Sequence, residues 1–188
     1  MNAIHNRLCS SGWWAERVEQ KLLPFGLDGL VLGDDVLEIG PGFGATTRLL
    51  VDRVPRLRVL ELDARYCKRL RAELDVEVDQ GDATALPYED GRFSAVVCFT
   101  MLHHIPVASD QDRVFAEVAR VLRPGGVFAG TDSIGTGWMF KLIHVGDTLL
   151  PIDPDGMPAR LSAAGLSEAD VARANNSFRF RALKRDGG

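Results

Sequence analysis

Three glycines close behind a short apolar run constrain this chain more than any other feature. The stretch Val36-Leu37-Glu38-Ile39-Gly40-Pro41-Gly42-Phe43-Gly44 passes into Ala45-Thr46-Thr47-Arg48-Leu49-Leu50, where a helical pattern begins. It reads as strand, tight turn and helix N-terminus. Without side chains the turn lets a ligand lie against the backbone, and the amides opening the helix face an anionic group.

The remaining pattern alternates strands and helices. Leu57 to Asp63 forms a second apolar strand with acids at its C-terminal end; Leu49, Leu50 and Val54 face the core from the helix before it, which Pro55 ends. Tyr66, Leu70 and Leu74 mark the next helix, with Arg65, Lys68, Arg69 and Arg71 on its solvated side. Val76-Glu77-Val78 makes a short strand, and Phe93 to Phe99 is nearly continuously apolar, as in a central strand covered on both faces. A helix capped by Ser109 and lined by Val114, Val118, Val121 and Leu122 stops at Arg123-Pro124-Gly125-Gly126, ahead of a strand from Val127 to Gly130. Pro158 opens a short helix ending at Gly165. Phe178, Phe180 and Ala182 then alternate with Ser177, Arg179 and Arg181 in a half-exposed strand, separated by the turn Asn175-Asn176 from Ser167 to Ala174.

At 188 residues the chain suits a single packed domain. Lys+Arg 22 against Asp+Glu 26 gives a formal net charge of -4, so no global positive field holds a polyanion, and nucleic acid is disfavoured as a substrate. Cys9, Cys67 and Cys98 are scattered without metal-ligand spacing, so no metal is expected and a reducing compartment is. Residues Met1 to Arg7 lack a signal-peptide core, and no segment approaches membrane-spanning length, which points to a cytoplasmic protein.

Ahead of the first strand, Ser10-Ser11-Gly12 starts an amphipathic helix carrying Trp14, Val18 and Leu22, with Pro24 as its stop. Residues 1–30 form a helical cap on the domain. Its tryptophans either anchor it by packing or place one ring, Trp14, over a ligand.

Glu-x-Gly-x-Gly-x-Gly after a strand, here Glu38 to Gly44, is one residue tighter than a dinucleotide fingerprint. It resembles the first motif of the class I S-adenosylmethionine-dependent methyltransferases. Gly81-Asp82-Ala83 followed by Leu86-Pro87 is similar to that family's adenine-reading segment, and Glu117 to Gly126 closely resembles its late helix-turn-strand motif. The resemblance spans roughly Val36 to Leu183. It implies an α/β fold: a doubly wound, mostly parallel seven-stranded sheet with a C-terminal antiparallel hairpin. The implied cofactor is S-adenosylmethionine, leaving as S-adenosylhomocysteine, and the implied reaction is in-line methyl transfer. Its methionine end would meet Gly40, Pro41, Gly42 and Gly44, with Glu38 fixing the loop; Asp82 and Ala83 would read the adenine, and the Thr100 backbone would lie near the sulfonium.

An acid past the second strand can accept hydrogen bonds from both ribose hydroxyls. Glu61 or Asp63 fits, and the family form favours Glu61, with Leu62 beside it. In Thr100-Met101-Leu102-His103-His104-Ile105-Pro106, His103 or His104 is a candidate general base, or one bonds structurally while the other faces solvent. The absence of an Asn-Pro-Pro-Tyr sequence there speaks against DNA-adenine and glutamine methylation. Trp14, His104, Trp138 and Phe140 are the acceptor-side candidates, Trp138 and Phe140 alternatively being core. Small size favours a small-molecule acceptor. A non-catalytic S-adenosylmethionine-binding sensor and a nicotinamide-dependent oxidoreductase are the alternatives.

Overall fold

The structure is a computed structural model that describes residues 7–8, 10–135 and 148–185. Helical residues come first, as α1 (Gly12–Arg17), a π-helical turn (Val18–Leu22) and α2 (Leu23–Leu27). Then follow β1 (Asp35–Ile39), α3 (Thr47–Leu50), β2 (Arg56–Glu61), α4 (Ala64–Glu73), β3 (Glu77–Gln80) and β4 (Phe93–Phe99). A 3-10 turn (Leu102–His104) leads into α5 (Ala108–Val121), β5 (Leu122–Ser133), α6 (Met157–Ala163), β6 (Leu166–Ala174) and β7 (Ser177–Lys184).

The sheet order is β3-β2-β1-β4-β5-β7-β6. β1 pairs in parallel with β2 and β4, β2 with β3, and β4 with β5, while β7 runs antiparallel to both β5 and β6. The chain therefore reverses direction across the sheet between β1 and β4. In a parallel open sheet this is where a crevice opens beyond the strand ends.

Burial of both faces follows from the period of two over residues 95–99 of β4, with Phe93 on the other side of a register shift. Phe93, Val96 and Cys98 pack with Val114, Phe115 and Val118 of α5 on one side; Ala95, Val97 and Phe99 pack with Leu23 of α2 and Leu50 of α3 on the other. Val59, Cys67, Leu70 and Val78 make a third, smaller cluster. The hairpin keeps its alternation, with Phe178, Phe180 and Ala182 buried. Cys67 and Cys98 are buried free thiols.

Several boundaries differ from the sequence expectation for local reasons. Pro24 does not stop the first helical segment, which runs on to Leu27. The Leu23 N–H reaches back to the Val18 carbonyl, a π-type bond whose extra residue relieves the clash and the missing donor that a proline brings to a regular α-turn. Ser109 is not the cap of α5: Val107 is, its carbonyl accepting from Asp110 N and Gln111 N at 3.0 and 3.1 Å. β2 ends at Glu61 because Asp63 caps α4, its carboxylate accepting from Arg65 N at 2.8 Å. α3 is only one turn long and does not reach Pro55. The third strand begins one residue later than expected and runs to Gln80, in register with Glu61.

Candidate functional site

A cleft of about 640 Å³ opens at the C-terminal ends of β1, β2, β3 and β4. That volume lies within the usual range for small-ligand sites. Its wall includes Gly40, Pro41 and Gly42 from the turn after β1, Glu61, Leu62 and Asp63 after β2, and Asp82 and Ala83 after β3. Thr100 and His104 after β4 and Trp14 of α1 complete it. Sequence-distant candidates thus share one site. Trp138 and Phe140 lie outside the described residues, as do Cys9, His144 and Asp147.

The glycine turn holds its shape through backbone angles that side chains resist. Gly40, Gly42 and Gly44 have φ of 63, 56 and 74°. A Cβ on Gly42 would meet nothing within 4 Å, so this residue borders open space, whereas one on Gly44 would stand 2.5 Å from Leu70 Cδ2. Gly44 accordingly serves the packing of the turn on α4 and does not line the cleft.

Glu61 connects two of the walls. Its Oε2 accepts from Gly42 N at 3.0 Å and its Oε1 from Asp63 N at 2.9 Å. A carboxylate has about four acceptor positions, so hydroxyls of a ligand can still be received. Asp63 is committed elsewhere. The Arg65 guanidinium and amide bond to its carboxylate and hold its pKa down to about 2. Next to Glu61, Leu62 is 67% exposed, a large apolar side chain on the cleft wall with little protein cover.

Glu38 lies beneath the turn, 1% exposed, and does not line the cleft. Thr46 Oγ1 and Thr47 Oγ1 both donate to its carboxylate, the latter at 2.6 Å, clamping β1 to the start of α3. Burial pushes its pKa up to about 7; the threonine hydrogen bonds oppose the rise and the charge of Glu61 adds to it. Asp82 is exposed, with Oδ1 accepting from Thr84 N and Thr84 Oγ1 at 2.9 and 2.8 Å. This Asx-type turn points the loop and leaves its other oxygen outside those bonds. Thr100 carries a positive φ of 51°, and its N–H donates to the Thr131 carbonyl at 2.8 Å, fixing a sharp exit from β4.

The histidine pair divides. His103 is buried, its Nδ1 on Asp132 Oδ1 and its backbone N–H on Asp132 Oδ2 at 3.1 Å. The His104 ring lies against it, tilted by 38° with centroids 4.2 Å apart, and lines the cleft. The tryptophans divide too: Trp14 faces the cleft, while Trp13 is 55% exposed under the Arg17 guanidinium.

Met101, Ile105 and Pro106, from the stretch that carries the histidines, also stand on the cleft wall, and so do Tyr66, Phe43 and Asp110, which the sequence pattern does not single out for a site. Tyr66 sits four residues before Leu70 and so carries the signature of a core position, and its ring does contact Phe43 at 4.9 Å. Asp132 and Gln111, buried polar residues behind the wall, carry no local signal at all.

A family model described as a methyltransferase domain matches residues 37–130, half of the chain. A fatty-acid O-methyltransferase of Mycolicibacterium smegmatis is 37% identical over 108 residues, which are 55% of this chain and 38% of the relative. A ribosomal RNA small subunit methyltransferase A of Leptothrix cholodnii is 31% identical over 155 residues, 70% of this chain and 55% of the relative. The chain thus spans only 38% and 55% of the lengths of these two relatives. Among solved structures, a Thermotoga maritima S-adenosylmethionine-dependent methyltransferase superposes with a TM-score of 0.74 at 17% identity, over 98% of this chain and 100% of that one. At that identity the likeness is one of fold.

Proposed function

The chain belongs to the class I S-adenosylmethionine-dependent methyltransferase family, and from that premise we propose that its cleft binds S-adenosylmethionine and transfers the methyl group to a small-molecule acceptor. The observation that carries this reading is the bond from Gly42 N to Glu61, which joins the glycine turn to the acid ending β2 at the cleft wall. When bound, S-adenosylmethionine supplies an electrophilic methyl group on a sulfonium.

The residues fit such a molecule. Glu61 would accept from the ribose hydroxyls. The exposed Leu62 would be covered by the adenine ring, whose amine Asp82 would receive and whose ring the Ala83 N–H would reach. Gly40, Pro41 and Gly42 leave room for the methionine end against their backbone, and Glu38 and Gly44 hold the turn from behind. The Thr100 backbone stands where the sulfonium side is expected. Carboxylates on the wall favour a ligand carrying cationic groups.

A single domain with residues 1–30 as a helical cap is part of the reading, Trp14 bringing that cap to the cleft. The -4 net charge, with Arg65, Arg69 and Arg71 bonded to Asp63, Glu73 and the Val78 carbonyl, supports a small molecule over nucleic acid. Among the described residues, no helix is long and apolar enough to cross a membrane. The buried free thiols of Cys67 and Cys98 fit a reducing interior, and the cytoplasm is the location proposed. Family membership leaves no support for the oxidoreductase alternative.

Calorimetric titration with S-adenosylhomocysteine, with a nicotinamide dinucleotide as control, tests this reading. Micromolar binding of the former alone, worth about -8 kcal/mol, is expected. Binding of the dinucleotide alone overturns it.

A further inference from the structure

Residues 81–92 connect β3 to β4 without helix or strand, and Asp82 and Ala83 open that connection on the cleft wall. An irregular segment of this length carries amides and carbonyls that must find partners beyond it. At its start Gly81 N donates to the Glu61 carbonyl at 3.1 Å, and Asp82 receives Thr84 N, Thr84 Oγ1 and, through its carbonyl, Ala85 N. From Leu86 onward the partners come from α5.

Glu117 and Arg120 stand three residues apart on α5 and so share a face. Glu117 Oε2 accepts from Leu86 N at 2.7 Å. Arg120 Nη2 donates to the Leu86 carbonyl at 2.9 Å, and Nη1 donates to the Tyr88 carbonyl at 2.7 Å and to Asp90 Oδ1 at 2.8 Å. Nε and Nη2 also meet the two Glu117 oxygens, each at 2.8 Å, so all five guanidinium hydrogens have acceptors. The same contact holds the Glu117 carboxyl below the usual carboxylate range. Asp90 is exposed and its pair adds little; the part-buried bonds to the Leu86 and Tyr88 backbone carry the hold.

The helix that provides this grip is itself fixed. Val114, Phe115 and Val118 pack in the core beneath β4, and at the other end of α5 the buried Gln111 Nε2 lies 3.2, 3.1 and 2.8 Å from the carbonyls of Leu102, Ile105 and Leu150. Asp82 and Ala83 therefore sit in a short span between two anchored points, Gly81 on β2 and Leu86 on α5. Among the described residues lining the cleft, neither Glu117 nor Arg120 occurs.

We propose that Glu117 and Arg120 are positioning residues for the cofactor: by gripping both backbone groups of Leu86 they set the direction in which Asp82 and Ala83 face the adenine. This deepens, and rests on, the reading of the cleft as an S-adenosylmethionine site. A loop left loose has to be ordered by the ligand, and that ordering is subtracted from affinity. The grip needs an arginine. A lysine at the same place offers one nitrogen with three hydrogens, which cannot span two carbonyls and two carboxylates spread around a planar fork. The part of the chain that resembles a late structural motif of the family thus bears on cofactor binding from outside the cleft.

The test is a double-mutant cycle on the full chain, read by calorimetric titration with S-adenosylhomocysteine. Arg120→Lys should lower the affinity on the order of 10-fold, a size within the usual range for coupled residues. In the Asp82→Ala background the same substitution should cost no more than about twofold, because the group that Arg120 places is already gone. Damage to the fold alone would lower the affinity equally in both backgrounds. If Arg120→Lys fails to fold, the same cycle is run with Glu117→Gln, which keeps an acceptor for Leu86 N and gives up the charged pair, and a loss of affinity confined to the Asp82 background is again expected. Wild-type affinity in the folded variant, or an equal loss with and without Asp82, overturns the proposal. Absence of S-adenosylhomocysteine binding to the wild type instead overturns the reading on which it rests.

Discussion

Glu61, at the end of β2, accepts the amide hydrogen of Gly42, 19 residues earlier in the turn after β1, at 3.0 Å. The bond makes the acid part of the turn's architecture as well as a group facing a ligand. Glu61→Ala should weaken S-adenosylhomocysteine binding by about 1–3 kcal/mol, the scale for leaving polar partners unmatched. Asp82→Ala should lower affinity on the same scale through the adenine end. Calorimetry on both variants checks this, and wild-type affinity in both contradicts the site.

Gly42 and Gly44 separate binding from stability. Both have positive φ, but a Cβ at Gly42 faces open space while one at Gly44 collides with Leu70 Cδ2. Gly44→Ala should cost about 2 kcal/mol or more of stability from strain and overpacking. Gly42→Ala should cost only about 1 kcal/mol and instead reduce S-adenosylhomocysteine affinity. Urea denaturation beside calorimetry reads both effects, and the reverse pattern would contradict the assignment.

The Glu38 carboxyl, raised by burial from 4.5 to about 7, gives the stability a definite pH slope. Below the unfolded value it is protonated in both states. Between the two values the native state retains the proton and the unfolded state has lost it, so stability falls as pH rises towards 7 and levels off above. At 1.36 kcal/mol per unit the loss is about 3 kcal/mol. Glu38→Gln cannot titrate, so the difference between its urea midpoint and that of wild type should shift in the variant's favour from pH 5 to pH 7.5. A constant difference would contradict a raised carboxyl.

The buried Gln111 amide nitrogen lies within hydrogen-bond distance of three carbonyls, and its two hydrogens are shared among them. Gln111→Ala should lower stability by about 2–3 kcal/mol, since those acceptors lose their donor. It should also speed amide exchange at His104 and Leu150, whose N–H groups belong to the braced turn. Unaltered exchange at these amides would show that the turn does not depend on the brace.

Much of this fold was legible because its elements announce themselves locally. β4 is apolar residue after residue, the glycine turn punctuates β1, and Phe178, Phe180 and Ala182 keep a strict period of two. Glu61, Asp82 and Thr100 were legible by position, Glu61 ending a parallel strand and the other two following one, all on one sheet edge. What the sequence hid depends on partners supplied from afar. Nothing near His103 reveals Asp132, 29 residues on, and nothing near Gln111 reveals the Leu150 carbonyl 39 residues away. Trp13 and Trp14 are neighbours whose exposure differs only because α1 docks with one face to the cleft. Pro24 misled as a helix stop because a π-turn, invisible in composition, precedes it.

The most direct test of the account is amide hydrogen exchange with and without S-adenosylhomocysteine. Protection should rise at residues 40–44, 61–63, 81–84 and 100–101, the four segments ending β1 to β4, while β6 and β7, at the far side of the sheet, stay unchanged. No change in those four segments, or protection confined to the β6–β7 hairpin, would contradict the central claim that this strand edge is where the cofactor binds.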